Sequence, residues 1–277
     1  MNMDSGWKPE LREGVAVPAY GGYILDLDGT LYLGEAPIPG ADETVATLRE
    51  RDAQVMFVSN KPIATRQTYA EKLTRLGIPA EVDDVLTSPL ALADYIAANH
   101  DAPRVLVIGE EPVISELKAV GCQIVQEAAE TDIAVISWDR QVTYDRLEEA
   151  FQALRQGAKF YVTNPDVTCP LETGEVSDAG AAMAYLEACS GRKPDHIAGK
   201  PYPALAHAAI QRMGVTPQQT IFTGDRLQTD LRCGKNAGCA TAIVLTGVTN
   251  EADITALPED MRPDYVLQSV VELVGAR

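Results

Sequence analysis

Short apolar runs alternate along the chain with segments whose apolar positions recur at helical spacing. The run Gly22 to Leu27 (GYILDL) predicts a strand ending in an Asp-Gly turn. Pro39-Gly40 opens a helical pattern over 41–51, with Val45 and Leu48 on one face. QVMFVSN has the composition of a buried parallel strand. A helix over 65–76 follows, with Tyr69, Leu73 and Leu76 on one face and Gly77 placed to end it.

The alternation then starts afresh. PRVLVIG, DIAVISW and KFYVTNPD predict strands, and helices are expected over 112–120, 143–156 and 178–190. After this unit come a helix over 203–213, the strand QTIFTGD, a helix from Leu227 to Ala237, the strand TAIVLT, a short strand DYVLQ and a C-terminal helix. Strand–helix alternation of this kind predicts an α/β fold with a doubly wound parallel sheet. The interruption predicts a core of residues 20–87 and 196–277, a smaller inserted α/β domain over 88–195, and a loosely ordered tail over 1–19.

Length and composition agree with this division. The chain has 277 residues, more than one ordinary domain, and 46% of them are hydrophobic, enough for a packed core. The net charge of −17 repels nucleic acid and anionic lipid, so neither is an expected partner. The five cysteines are odd in number and none has CxxC spacing, which fits a reducing cytoplasm better than a disulfide framework or zinc site. The N-terminus lacks the pattern of a secretory signal, and no stretch approaches the roughly 18 apolar residues of a membrane span. A cytoplasmic location is expected.

The candidate chemistry lies at strand ends. Asp26 and Asp28 close the first strand, at the sheet edge where ligands gather in open parallel folds. Two aspartates one residue apart can face one small volume and offer the hard oxygens that Mg²⁺ prefers. Gly29 allows a sharp turn there and Thr30 completes the segment. Ser59 and Asn60 end the second core strand, where a hydroxyl and backbone N–H groups can bind phosphate oxygens. Lys200, in GKP, can neutralise phosphate and orient a carboxylate. Gly224 and Asp225 close a further strand, with Asp225 placed as a third acidic ligand. Asp230, in the first turn beyond, can cap that helix, hold a metal-bound water or tie down Lys200. Each feature alone also reads as an ordinary turn, loop or cap. Their order and their common placement at core strand ends do not.

The motifs DLDGT, SN, GKP and GDRLQTD together resemble those of the haloacid dehalogenase-like (HAD) phosphatase superfamily. TNPD at 163–166, LYLG with PIPGA, and GCATAIVLTGVT resemble its class IIA branch, whose large α/β cap lies between the second and third motifs. The resemblance covers about residues 20–275. It implies a Rossmann-like core and a Mg²⁺-dependent phosphatase acting on phosphate monoesters of small metabolites, such as sugar phosphates or nucleoside monophosphates. It also implies roles. Asp26 would be the nucleophile that forms an aspartyl-phosphate, and Asp28 the acid and base. The Asp26 side chain, the Asp28 backbone carbonyl and the Asp225 side chain would hold Mg²⁺. Ser59, Asn60 and Lys200 would bind phosphate, and Asn164 and Asp166 would approach from the cap. Relatives often form subunit contacts through such caps, which implies a homodimer.

The chain departs from the family pattern in two places. SNKP puts a positive charge, Lys61, beside the phosphate motif, which would favour a substrate with a second anionic group; the alternative is a solvent-facing lysine. Ser177-Asp178-Ala179-Gly180 stands where relatives often read Pro-Gly-x-Gly, with Asp178 expected to cap the next helix. Two other functions are compatible with the same core: a phosphotransferase or mutase, and a non-catalytic module that only accepts phosphate on Asp26. Asp28 and the large insertion weigh against the second. A dinucleotide-binding fold is disfavoured because no GxGxxG follows the first strand.

Overall fold

A computed structural model of the protein describes residues 17–171 and 174–275. Most of the expected tail therefore lies outside the described residues, but Val17, inside its expected bounds, is buried in the core.

Two parallel sheets organise the chain. The first has six strands in the order Tyr265–Leu267, Ala240–Val244, Thr220–Gly224, Gly22–Asp26, Gln54–Ser59, Val85–Thr87. Gly22–Asp26 is buried along its whole length between two neighbours, as its near-continuous apolar run requires. Alternate residues point to opposite faces. Tyr23, Leu25 and Phe57 join a cluster with the helices Ala41–Glu50 and Arg66–Arg75, whereas Ile24, Met56 and Val58 join one beneath the helices Ser88–Asn99 and Ala204–Met213. Truncating a side chain as large and as buried as Phe57 to alanine would cost about 3–5 kcal/mol.

The second sheet has five strands, in the order His196–Ile197, Lys159–Val162, Ile133–Ile136, Arg104–Ile108, Gln123–Val125. One face packs on the helices Tyr144–Arg155 and Ala179–Ser190. The other face contributes Val105, Val107, Ile133 and Val135 to the cluster that already holds Ile24 and Met56. One apolar layer thus serves both sheets. Its bridge is the helix Ser88–Asn99, which packs on Ala204–Met213 and on Glu111–Ala119.

Several expectations change in detail. His196–Ile197 belongs to the inserted sheet by its pairing with Tyr161 and Val162, so the inserted sheet runs past residue 195. The helix expected over 227–237 is a π-helical turn, Leu227–Leu231, followed by an α-helix, Arg232–Asn236. The C-terminal helix is a 3-10 segment, Val270–Val274. Two small hairpins, Tyr32–Leu33 with Ala36–Pro37 and Thr168–Leu171 with Gly174–Ser177, were not expected. Among the described residues no helix is long and apolar enough to cross a membrane, and none of the five cysteines forms a disulfide.

Candidate active site

Asp26 sits at the C-terminal end of the central strand and Asp225 just beyond its parallel neighbour. Between them, the buried Lys200 ammonium donates to Asp26 Oδ1 and to Asp230 Oδ1, each at 2.6 Å. Asp230 Oδ2 also accepts the Arg226 N–H at 3.0 Å, so both of its oxygens are committed. The π-helical turn aims it: the Asp230 and Leu231 N–H groups both donate to the Arg226 carbonyl. Of the roles open to Asp230 from the sequence, its bonds describe two, holding Lys200 and capping the start of the helical turn. Gly224 is required beside it, because a Cβ there would collide with the Asp230 carboxyl.

Asp225 Oδ2 accepts the Val248 N–H at 2.8 Å, while its buried Oδ1 has no partner. Gly29 has φ +84°, and both Gly29 and Gly247 lie so close to Asp225 that a Cβ at either would overlap its carboxyl. Thr246 Oγ1 donates to the Gly29 carbonyl at 2.6 Å and ties the two turns together. The sequence assigned no role to this loop, Thr246 to Thr249, although Thr-Gly after an apolar strand was a readable signal. Thr30 is fully buried beneath the Asp28 turn.

The electrostatics are lopsided. Burial pushes the Asp26 carboxyl up to about 8, helped by the Asp230 charge and opposed by Lys200. Asp225 rises to about 6, through burial first and Asp230 second. Burial works against the Lys200 ammonium, but Asp230 and Asp26 outweigh it and raise its pKa above the ordinary lysine range. One lysine does not balance three buried carboxylates. Oxygens of Asp26, Asp225 and Asp230 lie within 4.8 Å of one another. Hard carboxylate oxygens this close, one of them orphaned, suit a small divalent cation such as Mg²⁺. The Asp28 side chain stands apart from this cluster; it is exposed and borders the same cavity as Asp26.

That cavity, of about 560 Å³, brings Asp26, Asp28, Ser59, Lys200 and Asp225 together with the cap residues Asp166, Cys169 and Asp178. A larger cleft of about 940 Å³, beside Tyr95, His196 and Tyr202, holds none of the expected site residues. The chemistry, not the volume, marks the site.

Ser59 is buried at the strand end, and its Oγ accepts the Lys61 N–H at 3.2 Å. Asn60, expected with Ser59 at the phosphate, borders the same cavity, and its side-chain amide is engaged elsewhere. Its Oδ1 accepts the Lys200 N–H (2.7 Å), and its Nδ2 donates to the Lys200 carbonyl (2.9 Å) and to Asp166 Oδ2 (2.8 Å). Gly199 permits this grip, since a Cβ there would meet Asn60 Oδ1. Asn164 was expected to approach the active site from the cap. It is fully buried behind the cavity wall: its Nδ2 donates to Asp166 Oδ2 and Asp178 Oδ1, both at 3.1 Å, and its Oδ1 accepts from Thr163 Oγ1. Only Asp166 of that pair reaches the cavity. Asp178 caps its helix as expected.

Comparison with known proteins agrees with this geometry. A model of haloacid dehalogenase-like hydrolases matches residues 23–123, and a HAD-hydrolase-like model matches 197–273. The chain is 33% identical to the sugar-phosphatase AraL of Bacillus subtilis, over 91% of each chain. The p-nitrophenyl phosphatase from Archaeoglobus fulgidus superposes with a TM-score of 0.88 at 32% identity, covering 94% of this chain and 100% of that one. A glycerol phosphate phosphatase from Mycobacterium tuberculosis, solved with magnesium, gives 0.85 at 31% identity, over 92% of this chain and 77% of the other. With the strand-end carboxylates and their buried lysine in place, the chain belongs to the haloacid dehalogenase-like hydrolases, as a phosphoric monoester hydrolase with a Rossmann-like core and a class IIA cap.

Proposed function

We propose that the protein hydrolyses phosphate monoesters of small metabolites with Mg²⁺, through an aspartyl-phosphate on Asp26. The observation that carries this reading is the asymmetry of the Asp26 carboxyl. Lys200 fixes Oδ1, while among the described residues no group donates to Oδ2. That oxygen belongs to a residue bordering the cavity and has the freedom a nucleophile needs.

In the first step Asp26 Oδ2 attacks phosphorus, the ester P–O bond breaks, and Asp28 gives its proton to the leaving alcohol oxygen. In the second, Asp28 takes a proton from water, the water oxygen attacks phosphorus, and the bond from phosphorus to Asp26 breaks to release inorganic phosphate. Asp28 fits this work because it borders the cavity yet is exposed, so it can exchange protons with solvent. The Lys200 ammonium stays charged and offsets the negative charge of the transferring group. The Ser59 hydroxyl, held at the strand end, binds a phosphate oxygen. Asp230 fixes the Lys200 ammonium, and Asn60 fixes the Lys200 backbone at both its N–H and its carbonyl. Asp26 and Asp225, with the Asp28 backbone carbonyl, would hold Mg²⁺, which supplies charge neutralisation at the phosphate oxygens.

The test is release of phosphate from p-nitrophenyl phosphate with and without Mg²⁺. Asp26→Asn is expected to lower kcat by about three orders of magnitude or more. Full activity in that variant would rule Asp26 out as nucleophile.

A further inference from the structure

Four basic side chains line the catalytic cavity: Lys61, Lys72, Lys200 and Arg226. Two of them are spent. Lys200 is locked between Asp26 and Asp230. Lys72 lies over the Tyr32 ring, 3.9 Å from its centroid, and 3.4 Å from Glu35. Lys61 and Arg226 form no salt bridge among the described residues. Neither cap carboxylate of the cavity forms a salt bridge with them among the described residues, although Asp178 feels the Lys61 charge. Asp166 accepts from Asn60 and Asn164, and Asp178 accepts from Asn164 and from the start of its own helix.

Both residues are anchored at the backbone. The Lys61 N–H donates to Ser59 Oγ at 3.2 Å, and its carbonyl accepts the Tyr69 hydroxyl at 3.2 Å. Its ammonium lies over the buried Trp138 of the cap, 6.0 Å from the ring centroid, a cation–π placement. Arg226 is pinned through its N–H to Asp230, and its carbonyl accepts from Asp230 and Leu231. Both side chains line the same cavity as Cys169 of the cap hairpin. Lys61 follows the phosphate-binding Ser59-Asn60, and Arg226 follows Asp225. The two cations therefore flank the reaction floor on its cap side. In a chain of net charge −17, cations held at a cavity wall without a salt-bridge partner are not a solubilising surface.

We infer that the preferred substrate carries a second anionic group, a carboxylate or a second phosphate, and that Lys61 and Arg226 receive it while Asp26 attacks the other end. This rests on the phosphatase reading above. It deepens that reading by separating acidic phosphate esters from neutral ones, which the catalytic residues alone treat alike.

The test uses the Mg²⁺-loaded full chain and two matched pairs: 3-phosphoglycerate against racemic glycerol 3-phosphate, and fructose 1,6-bisphosphate against fructose 6-phosphate. Each pair differs in one anionic group. Hydrogen bonds to charged groups give an expected preference of about tenfold or more in kcat/KM for the more anionic member, mostly through KM. Whichever pair shows it identifies the group as carboxylate or phosphate. In Lys61→Met/Arg226→Met the preference should shrink to about twofold or less, with Lys61→Gln and Arg226→Gln each removing part of it. A wild-type ratio near one for both pairs, while p-nitrophenyl phosphate is still hydrolysed, would overturn the inference. So would a preference that survives the double substitution. Failure to hydrolyse p-nitrophenyl phosphate would overturn the phosphatase reading and this inference with it.

Discussion

At the C-terminal edge of the six-stranded sheet, three carboxylates and a lysine are buried together, and one solvent-inaccessible oxygen, Asp225 Oδ1, has no partner. Across the cavity, the cap presents Asn164, Asp166 and Asp178. These are polar too, yet they are bonded to one another and to Asn60. The first group is unbalanced by itself, and burial penalises its charge. The second is self-contained. An unfinished cluster invites a cation and an anionic substrate, whereas a finished one holds shape. Residue type does not separate the two, since Asn and Asp occur in both. Partner accounting does.

The largest expected effect is at Asp225. Asp225→Asn should cut phosphatase activity by about 100-fold or more. It should also abolish the rise in Tm that Mg²⁺ gives the wild type. The metal-free variant should melt higher than the metal-free wild type, because one of three crowded carboxylates is neutralised. An unchanged metal response would place the cation elsewhere and dissolve the contrast.

Asn60 joins the two regions. Removing its amide in Asn60→Ala frees the backbone around Lys200, so kcat should fall by roughly 10- to 100-fold with a smaller change in KM. Asn164→Ala should behave differently: about 1–3 kcal/mol lost in urea unfolding, with kcat close to wild type, since it strands buried partners but touches no reacting group. If steady-state kinetics gave the two variants the same loss of kcat, the division between reactive core and structural cap would fail.

The smallest effect sharpens the comparison from the cap side. His196 Nε2 is buried without a partner, and burial lowers its pKa from 6.5 to about 4. Below pH 6.5 the unfolded chain binds a proton that the folded chain refuses, so this residue costs stability progressively as pH falls toward 4 and costs nothing above 6.5. His196→Phe preserves a ring to stack on Tyr95. It should lose less stability between pH 7.5 and 5 than the wild type does, measured by denaturant midpoint.

The strand-end residues were legible in the sequence because each follows a long buried run. Asp26, Ser59 and Asp225 inherit their positions from parallel strands whose apolar patterns are unmistakable. Val85–Thr87 was not legible, since three residues give no periodicity. The hairpin around Thr168 was hidden by its polar residues and by Pro170. Asn60 and Asn164 were placed correctly along the chain, but their side-chain partners were not legible. A sequence shows that an amide is present, whereas its partners come from chain segments more than a hundred residues away in the case of Asn60. The Lys61 departure was legible as a cation beside the phosphate motif, and Lys61 does border the cavity.

The helix Ser88–Asn99 lies in the apolar layer that both sheets share, with Leu90, Ala93 and Ile96 buried there beside residues of each. Cutting the gene at residue 88 to express the insertion alone would leave that layer with one wall. It would face water with the side chains that normally meet Ala206 and Ala209. The two halves should accordingly melt in one cooperative transition rather than two, and a transplanted cap would need this helix's core-side partners to travel with it.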